Sequence, residues 1–175
     1  MSAAPPRVEP VVPGTRPELA EIESAIAAER GRISVLYQVL LNSAPLAEGW
    51  EKLLTAIRNK SSLPADLREL VILRVAVLNR APYEFEAHLP HARRAGVTEE
   101  KLAAIAAPRV AGGFDARECA VIALADAMTR EVQVSDAVFA PLAQHFDQRV
   151  TVELVATIAA YNMVSRFLEA LRIGH

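Results

Sequence analysis

Of its 175 residues only one is a cysteine, Cys119. That excludes an intrachain disulfide and a cysteine-built zinc site, and it fits a reducing compartment such as the cytoplasm. Aromatic residues are also scarce, at 5%. The core must then be made of Ala, Leu, Val and Ile, and Ala and Leu favour helices. Charge of one sign is lacking: 19 basic residues face 21 acidic ones, net −2, with no basic run. A nucleic-acid partner is therefore not expected. No apolar run of spanning length escapes a charge, so no membrane segment is expected. The opening "MSAAPPRVEP" lacks the apolar centre of a secretory signal. Alternation with period two is absent over any useful length, which predicts an all-α chain without sheet.

What is present is helical patterning. Residues 1–16, "MSAAPPRVEPVVPGTR", are rich in proline and read as an extended arm. Residues 17–175 read as a single helical domain. Pro17 suits a first helical position, and Gly31 suits the residue just past a last turn. From Leu70 to Leu78 the only interruption is Arg74, so this helix is expected to be buried on most sides. "GVTEEKLAAIA" starts a further helix with Thr98 as N-cap. Cys119 falls on an apolar helical stretch, where a thiol is expected to be a small buried hydrophobe. "RELVILRVA", "RECAVIALA" and "VELVATIAA" echo one another. Three buried helices of one composition, each with a favourable N-terminal charge, account for the echo more simply than the alternative, a duplicated unit.

The chemistry is concentrated in "NRAPYEFEAHLPHARRAG", residues 79–96. Glu84, His88 and His91 have the spacing i, i+4, i+7, one face of a helix. By spacing alone a solvated surface pair is the better account of Glu84 and His88. Pro90 is expected to kink the helix, or to delay its start to between Glu86 and Pro90. The shared face is therefore safest for Glu84 and His88. One oxygen and two nitrogens could suit zinc or iron. An i,i+3 histidine pair is common by chance, however, and no metal is expected.

The span "LPADLRELVILRVAVLNRAPYEFEAHLPHARRAGVTEEKLAAI", residues 63–105, resembles the carboxymuconolactone decarboxylase family, which includes the AhpD-like alkylhydroperoxidases. The likeness extends into "LADAMTREVQVSDAVFAPL" and "LVATIAAYNMVSRFLEAL". It implies an all-α AhpD-like bundle, assembled as a homotrimer or hexamer and needing no cofactor. The redox branch of the family carries Cys-x-x-Cys, a histidine four residues later and an upstream glutamate. Here Ala81 and Glu84 stand at the cysteine positions, the histidine is retained as His88, and Glu69 matches the glutamate. A peroxidase needs one thiolate to attack and a second thiol to resolve, and neither position supplies a thiol. "LNRAPYEFEAHL" is closer to the decarboxylase branch, with Glu-x-x-x-His after a Leu-x-Arg break.

The resemblance implies a lyase acting on a small carboxylated lactone or related carbonyl acid. In that reading His88 is the general acid or base and Glu84 orients it, with Glu69 nearby. Tyr83, Arg74 and His91 are the candidate substrate ligands, Arg74 for a carboxylate. Each has a plainer alternative. Glu69 suits a helix N-terminus, Arg74 an acid across a subunit interface, Tyr83 a packing ring, and His91 a solvated site. Tyr161, Asn162 and Arg166, in "YNMVSRF", are further candidates to line the same space. The alternative functions are an AhpD-like peroxide-handling oxidoreductase and a non-catalytic small-molecule-binding oligomer.

Overall fold

The computed structural model describes residues 5–174, and among them there are helices and turns but no strand. The fold is all-α, as the patterning predicts. Contacts divide the chain into two compact units, Met1–Lys60 with Leu168–His175, and Ser61–Phe167. The second runs inside the expected single domain of residues 17–175.

In the first unit the described part of the arm, residues 5–16, is extended and lies on its own chain. Arg7 N–H donates to Leu171 O at 2.9 Å, Val11 N–H to Gln38 O at 2.9 Å, and the Asn42 amide to Glu9 O at 2.9 Å. Val11 is buried. Residues 1–4 of the expected arm fall outside the described residues. A 3₁₀ turn at Pro17–Leu19 leads into α1 (Ala20–Arg30), which ends at Gly31 with φ 76°. Only glycine adopts that left-handed conformation without strain. α2 (Val35–Leu40) and α3 (Ala44–Asn59) follow. Ile26, Tyr37, Leu40, Leu41, Leu54 and Ile57 form the core. Polar groups are carried inside it, among them Glu51 and Thr55. Arg30 donates to Glu51 at 3.0 Å and to Thr55 Oγ1 at 3.1 Å.

The second unit is centred on α4 (Ala65–Leu78), which packs against α5 (Pro82–Arg94) and α7 (Ala116–Arg130). Every residue from Glu69 to Ala76 is buried. Such a helix has no wet face, which is why its sequence is apolar all round. It ends with Arg80 at φ 54°, in the left-handed region, while Ala81 N–H reaches back to Ala76 O at 2.9 Å. This tight reversal sets α5 directly against α4. α5 then starts at Pro82 and runs unbroken through Pro90, so the later start expected from the sequence does not occur. Pro90 and Glu86 are both exposed. The carbonyl of Glu86, which Pro90 cannot serve, therefore lies on the solvent side, where water can satisfy it.

α6 (Glu99–Ile105) is capped by Thr98, whose Oγ1 accepts from Lys101 N–H at 3.4 Å. α7 opens with a reciprocal cap, Asp115 accepting from Glu118 N–H and Glu118 from Asp115 N–H, at 2.8 and 2.9 Å. Lys101 Nζ closes on both oxygens of Glu118. A short α8 (Asp136–Phe139) and a 3₁₀ turn lead to α9 (Gln148–Leu171). α9 is long and apolar enough to cross a membrane by length and composition, yet half of its most apolar window is buried inside the chain. Buried Leu154, Ile158, Tyr161 and Val164 mark its inner face.

Candidate functional site

Helices α4, α5 and α9 bring together the polar side chains of the second unit's interior. Glu69 comes from the buried α4, and Glu84 and His88 come from the inner face of α5. Their exposures are 2%, 2% and 7%, so the pair on α5 is not a wet surface. Glu69 Oε2 lies 2.7 Å from His88 Nδ1. This contact holds the imidazole through Nδ1 and so fixes the orientation of the ring. The other oxygen of Glu69 accepts from Arg68 Nε at 3.4 Å. Buried charge needs partners of this kind.

The carboxylate bonded to the His88 ring at Nδ1 is Glu69, from another helix; the spacing along α5 suggests Glu84 beside it. An i,i+4 pair along one helix can be read in a sequence; a contact 19 residues apart depends on how two helices pack. Glu84 takes a hydroxyl from α9: Ser165 Oγ lies 2.7 Å from Glu84 Oε2. Ser165 is fully buried. Its only sequence signal is its place four residues after Tyr161, on the same helix face.

α9 contributes more than Ser165. The Tyr161 ring meets the His88 ring edge-on, with centroids 5.0 Å apart and planes at 89°. Asn162 fixes the helix in position. Its amide donates to Thr129 Oγ1 at 2.9 Å and to Ile158 O at 3.0 Å, while its Oδ1 accepts from Asn79 at 3.0 Å and Arg166 at 2.7 Å. Asn79 sits in the α4–α5 reversal, so the same bonds tie that turn to α9. Of the three candidates on α9, Tyr161 lies against the His88 ring, Asn162 ties the helix to Thr129 and Asn79, and Arg166 donates to Asn162 within the same helix.

The remaining candidates divide. His91 is half-buried, and its ring lies 5.6 Å from that of His88. Its Nδ1 is 3.4 Å from an Arg94 nitrogen. Tyr83 is half-buried on the first turn of α5. Arg74 is committed elsewhere. Its guanidinium donates to Asp126 through Nε and, at 2.8 Å, through one terminal nitrogen. It also donates to the carbonyls of Ile105, Ala107 and Pro108 at 3.3, 2.7 and 3.2 Å. Five donors are occupied, so none is left for a substrate carboxylate or a partner's acid. The fully buried Arg74 pins the end of α6 to α7.

Cys119 is exposed on α7, against the expectation of a buried thiol. It borders a surface cleft of 530 Å³ shared with Arg109, Ile122, Asp126 and Arg130. Among the described residues no group of three His, Cys, Asp or Glu is placed to hold a metal ion.

Comparisons with known proteins agree with this architecture. Residues 44–127 match the carboxymuconolactone decarboxylase family. The fold superposes on a peroxidase-related protein from Silicibacter sp. TM1040 with a TM-score of 0.81 and 17% identity, covering 96% of this chain and 90% of that one. A protein from Ralstonia eutropha JMP134 with an alkylhydroperoxidase AhpD core gives a TM-score of 0.79 at 16% identity, over 98% and 93% of the two chains. A cysteine-to-alanine variant of the debrominase Bmp8, solved with 2,3,4-tribromopyrrole, gives 0.80 at 19% identity, over 98% and 92%. Residues 44–127 are thus similar to the carboxymuconolactone decarboxylase family, and the fold is all-α and AhpD-like.

Proposed function

We propose that this protein is a lyase of the carboxymuconolactone decarboxylase type, working by proton transfer without a cofactor on a small carboxylated lactone or related carbonyl acid. The observation that carries this reading is the buried 2.7 Å contact between His88 Nδ1 and Glu69. It fixes the ring and directs Nε2 away from its partner, the arrangement a general acid or base requires. In such a substrate the bond to the departing carboxylate breaks. Its electron pair passes through the adjacent unsaturation to the lactone carbonyl oxygen, and CO₂ leaves. The resulting dienolate takes a proton at carbon. His88 in its imidazolium form supplies that proton from Nε2, while the Glu69 carboxylate balances the charge. Positioned proton transfer of this kind contributes about 10²- to 10⁴-fold to rate.

Thiol chemistry has less support. Ala81 and Glu84 stand where the redox branch has cysteines, and the only thiol, on Cys119, belongs to the cleft on α7. The proposed working form is a homo-oligomer, which sedimentation at micromolar concentration tests.

The test is turnover of 4-carboxymuconolactone, followed by ultraviolet absorbance and CO₂ release, with His88→Ala assayed beside the parent. Turnover by the parent and its loss in folded His88→Ala is the expected result. An inactive parent removes this substrate. An active His88→Ala removes the histidine from the reaction.

A further inference from the structure

The cleft on α7 is lined by none of the residues of the Glu69–His88 site. Its volume of 530 Å³ falls within the roughly 300–1,000 Å³ of small-molecule sites. Its lining is of two kinds. Ile122 and Ala127 on α7, Val110 on the connection before it and Val138 on α8 are apolar. Ile122 is only 6% exposed, so this apolar floor continues into the core of the second unit. Arg109 and Arg130 are exposed and bring two guanidinium groups to the rim.

The charges decide what such a cleft takes. Asp126 also lines it, but both of its oxygens are held from within by the fully buried Arg74. Arg130 is set in place at the rim: its Nη2 donates to Pro108 O at 3.0 Å and lies 3.6 Å from Asp126 Oδ2. One nitrogen anchors the guanidinium, while 48% of the side chain stays exposed. A cation already held costs a ligand little ordering. Arg109 and Arg130 face one further acid, Glu131. With Arg74 and Asp126 taken as a neutral pair, two cations and one anion leave the lining one net positive charge. A guanidinium fork matches a planar carboxylate.

We propose that this cleft is a second binding site, for a small organic anion made of a carboxylate joined to an apolar body. The carboxylate meets Arg109 and Arg130, and the body covers Ile122 and Val138. A free inorganic anion leaves the floor wet, and a neutral apolar molecule leaves the two cations without a counter-charge. The site does not depend on the lyase reading and stands if that reading fails. Cys119 on the cleft wall, its Sγ 3.6 Å from Phe114 O, supplies no binding charge. It is the only thiol of the chain and serves as a reporter.

The experiment is alkylation of Cys119 in the full chain at low ionic strength, followed by mass spectrometry. Iodoacetate and iodoacetamide react alike, the thiolate displacing iodide, but only iodoacetate is an anion. Their rate ratio is read against that of a neutral cysteine derivative free in solution. Expected is a ratio several-fold higher on the protein, falling toward the free value in Arg109→Gln, in Arg130→Gln and with added salt. Arg109→Gln alters an exposed side chain, and circular dichroism checks that Arg130→Gln, which loses its bond to Pro108 O, is folded. Benzoate should also protect Cys119 from iodoacetamide, and benzamide and inorganic phosphate should not. A parent ratio equal to the free value, a ratio unmoved in both variants, or no protection by benzoate overturns the proposal. Equal protection by benzamide removes the role of charge, and equal protection by phosphate removes that of the apolar floor; either overturns it. Protection that grows with protein concentration alone would put a second copy of the chain in the cleft and overturn it as well.

Discussion

Glu69 and His88 belong to different helices, 19 residues apart in sequence, and meet in the interior at 2.7 Å. The contact exists because α4 reverses tightly at Arg80 and α5 returns along it. Replacing Glu69 with Gln preserves size but exchanges a fixed acceptor for an amide that can also donate. The ring of His88 then loses its preference for hydrogen at Nδ1. Expected is a loss of turnover of about 10²- to 10⁴-fold with the fold intact, the scale for a mis-set catalytic histidine. Ring nitrogen shifts of His88 by NMR check the cause. An unchanged tautomer with full activity would separate Glu69 from the chemistry.

Arg74 gives a stability prediction, not an activity one. Arg74→Met removes the buried partner of Asp126 and of the Ile105 and Ala107 carbonyls, while Arg130 still reaches Asp126 at 3.6 Å and Pro108 O at 3.0 Å. Breaking a buried pair on one side costs about 3–5 kcal/mol. Asp126 is 31% exposed, which favours the low end, about 3 kcal/mol. Arg74→Lys is expected to recover little, since a point ammonium cannot reproduce the fork that reaches both Asp126 oxygens and the carbonyls. Urea unfolding of the two variants measures this. A loss under about 1 kcal/mol in Arg74→Met would show that water replaces the bonds.

The contrast between these residues shows what a sequence carries. Helix existence, the buried α4 and the cap at Thr98 are local matters of period and residue type, and they are legible. So is His88, because its motif is a spacing along one helix. The partner of His88 and the commitment of Arg74 to Asp126 are tertiary facts: both depend on which helix face meets which. Ser165 is invisible for the same reason, being one small residue among apolar ones until α9 is laid against α5. Pro90 is a different case. The cost of a proline in a helix depends on whether the freed carbonyl is buried or wet, and here it is wet.

Arg80 holds a left-handed conformation at φ 54°, which costs an L-residue about 1 kcal/mol or more. Glycine adopts it freely but loses more entropy on folding. Because the relief exceeds that penalty, Arg80→Gly is expected to stabilise the chain by up to about 1 kcal/mol. It should also leave the α4–α5 reversal, and therefore the His88–Glu69 contact, unchanged. Thermal unfolding and His88 NMR shifts test the two halves. Destabilisation would mean that the Arg80 side chain contributes more than its backbone costs.

Glu153 provides a pH prediction. Partial burial pushes its carboxyl up, but the Ser62 N–H, Arg149 and the Ser61 hydroxyl together outweigh that and hold it below the ordinary glutamate value. The Ser62 N–H donates at 2.7 Å and Arg149 Nε at 3.1 Å. A carboxyl depressed in the folded state binds its proton more readily when unfolded. Its stabilisation is therefore fully present above the unfolded value, near pH 4.3, and fades as pH falls through the lower folded value. The carboxylate is near the surface, so the contribution is expected to stay under about 1 kcal/mol. Glu153→Gln should be less stable than the parent at pH 7, and the gap should close on acidification below about pH 4. A gap that is constant from pH 7 to pH 3 would assign the effect to the shape of the side chain and not to its charge.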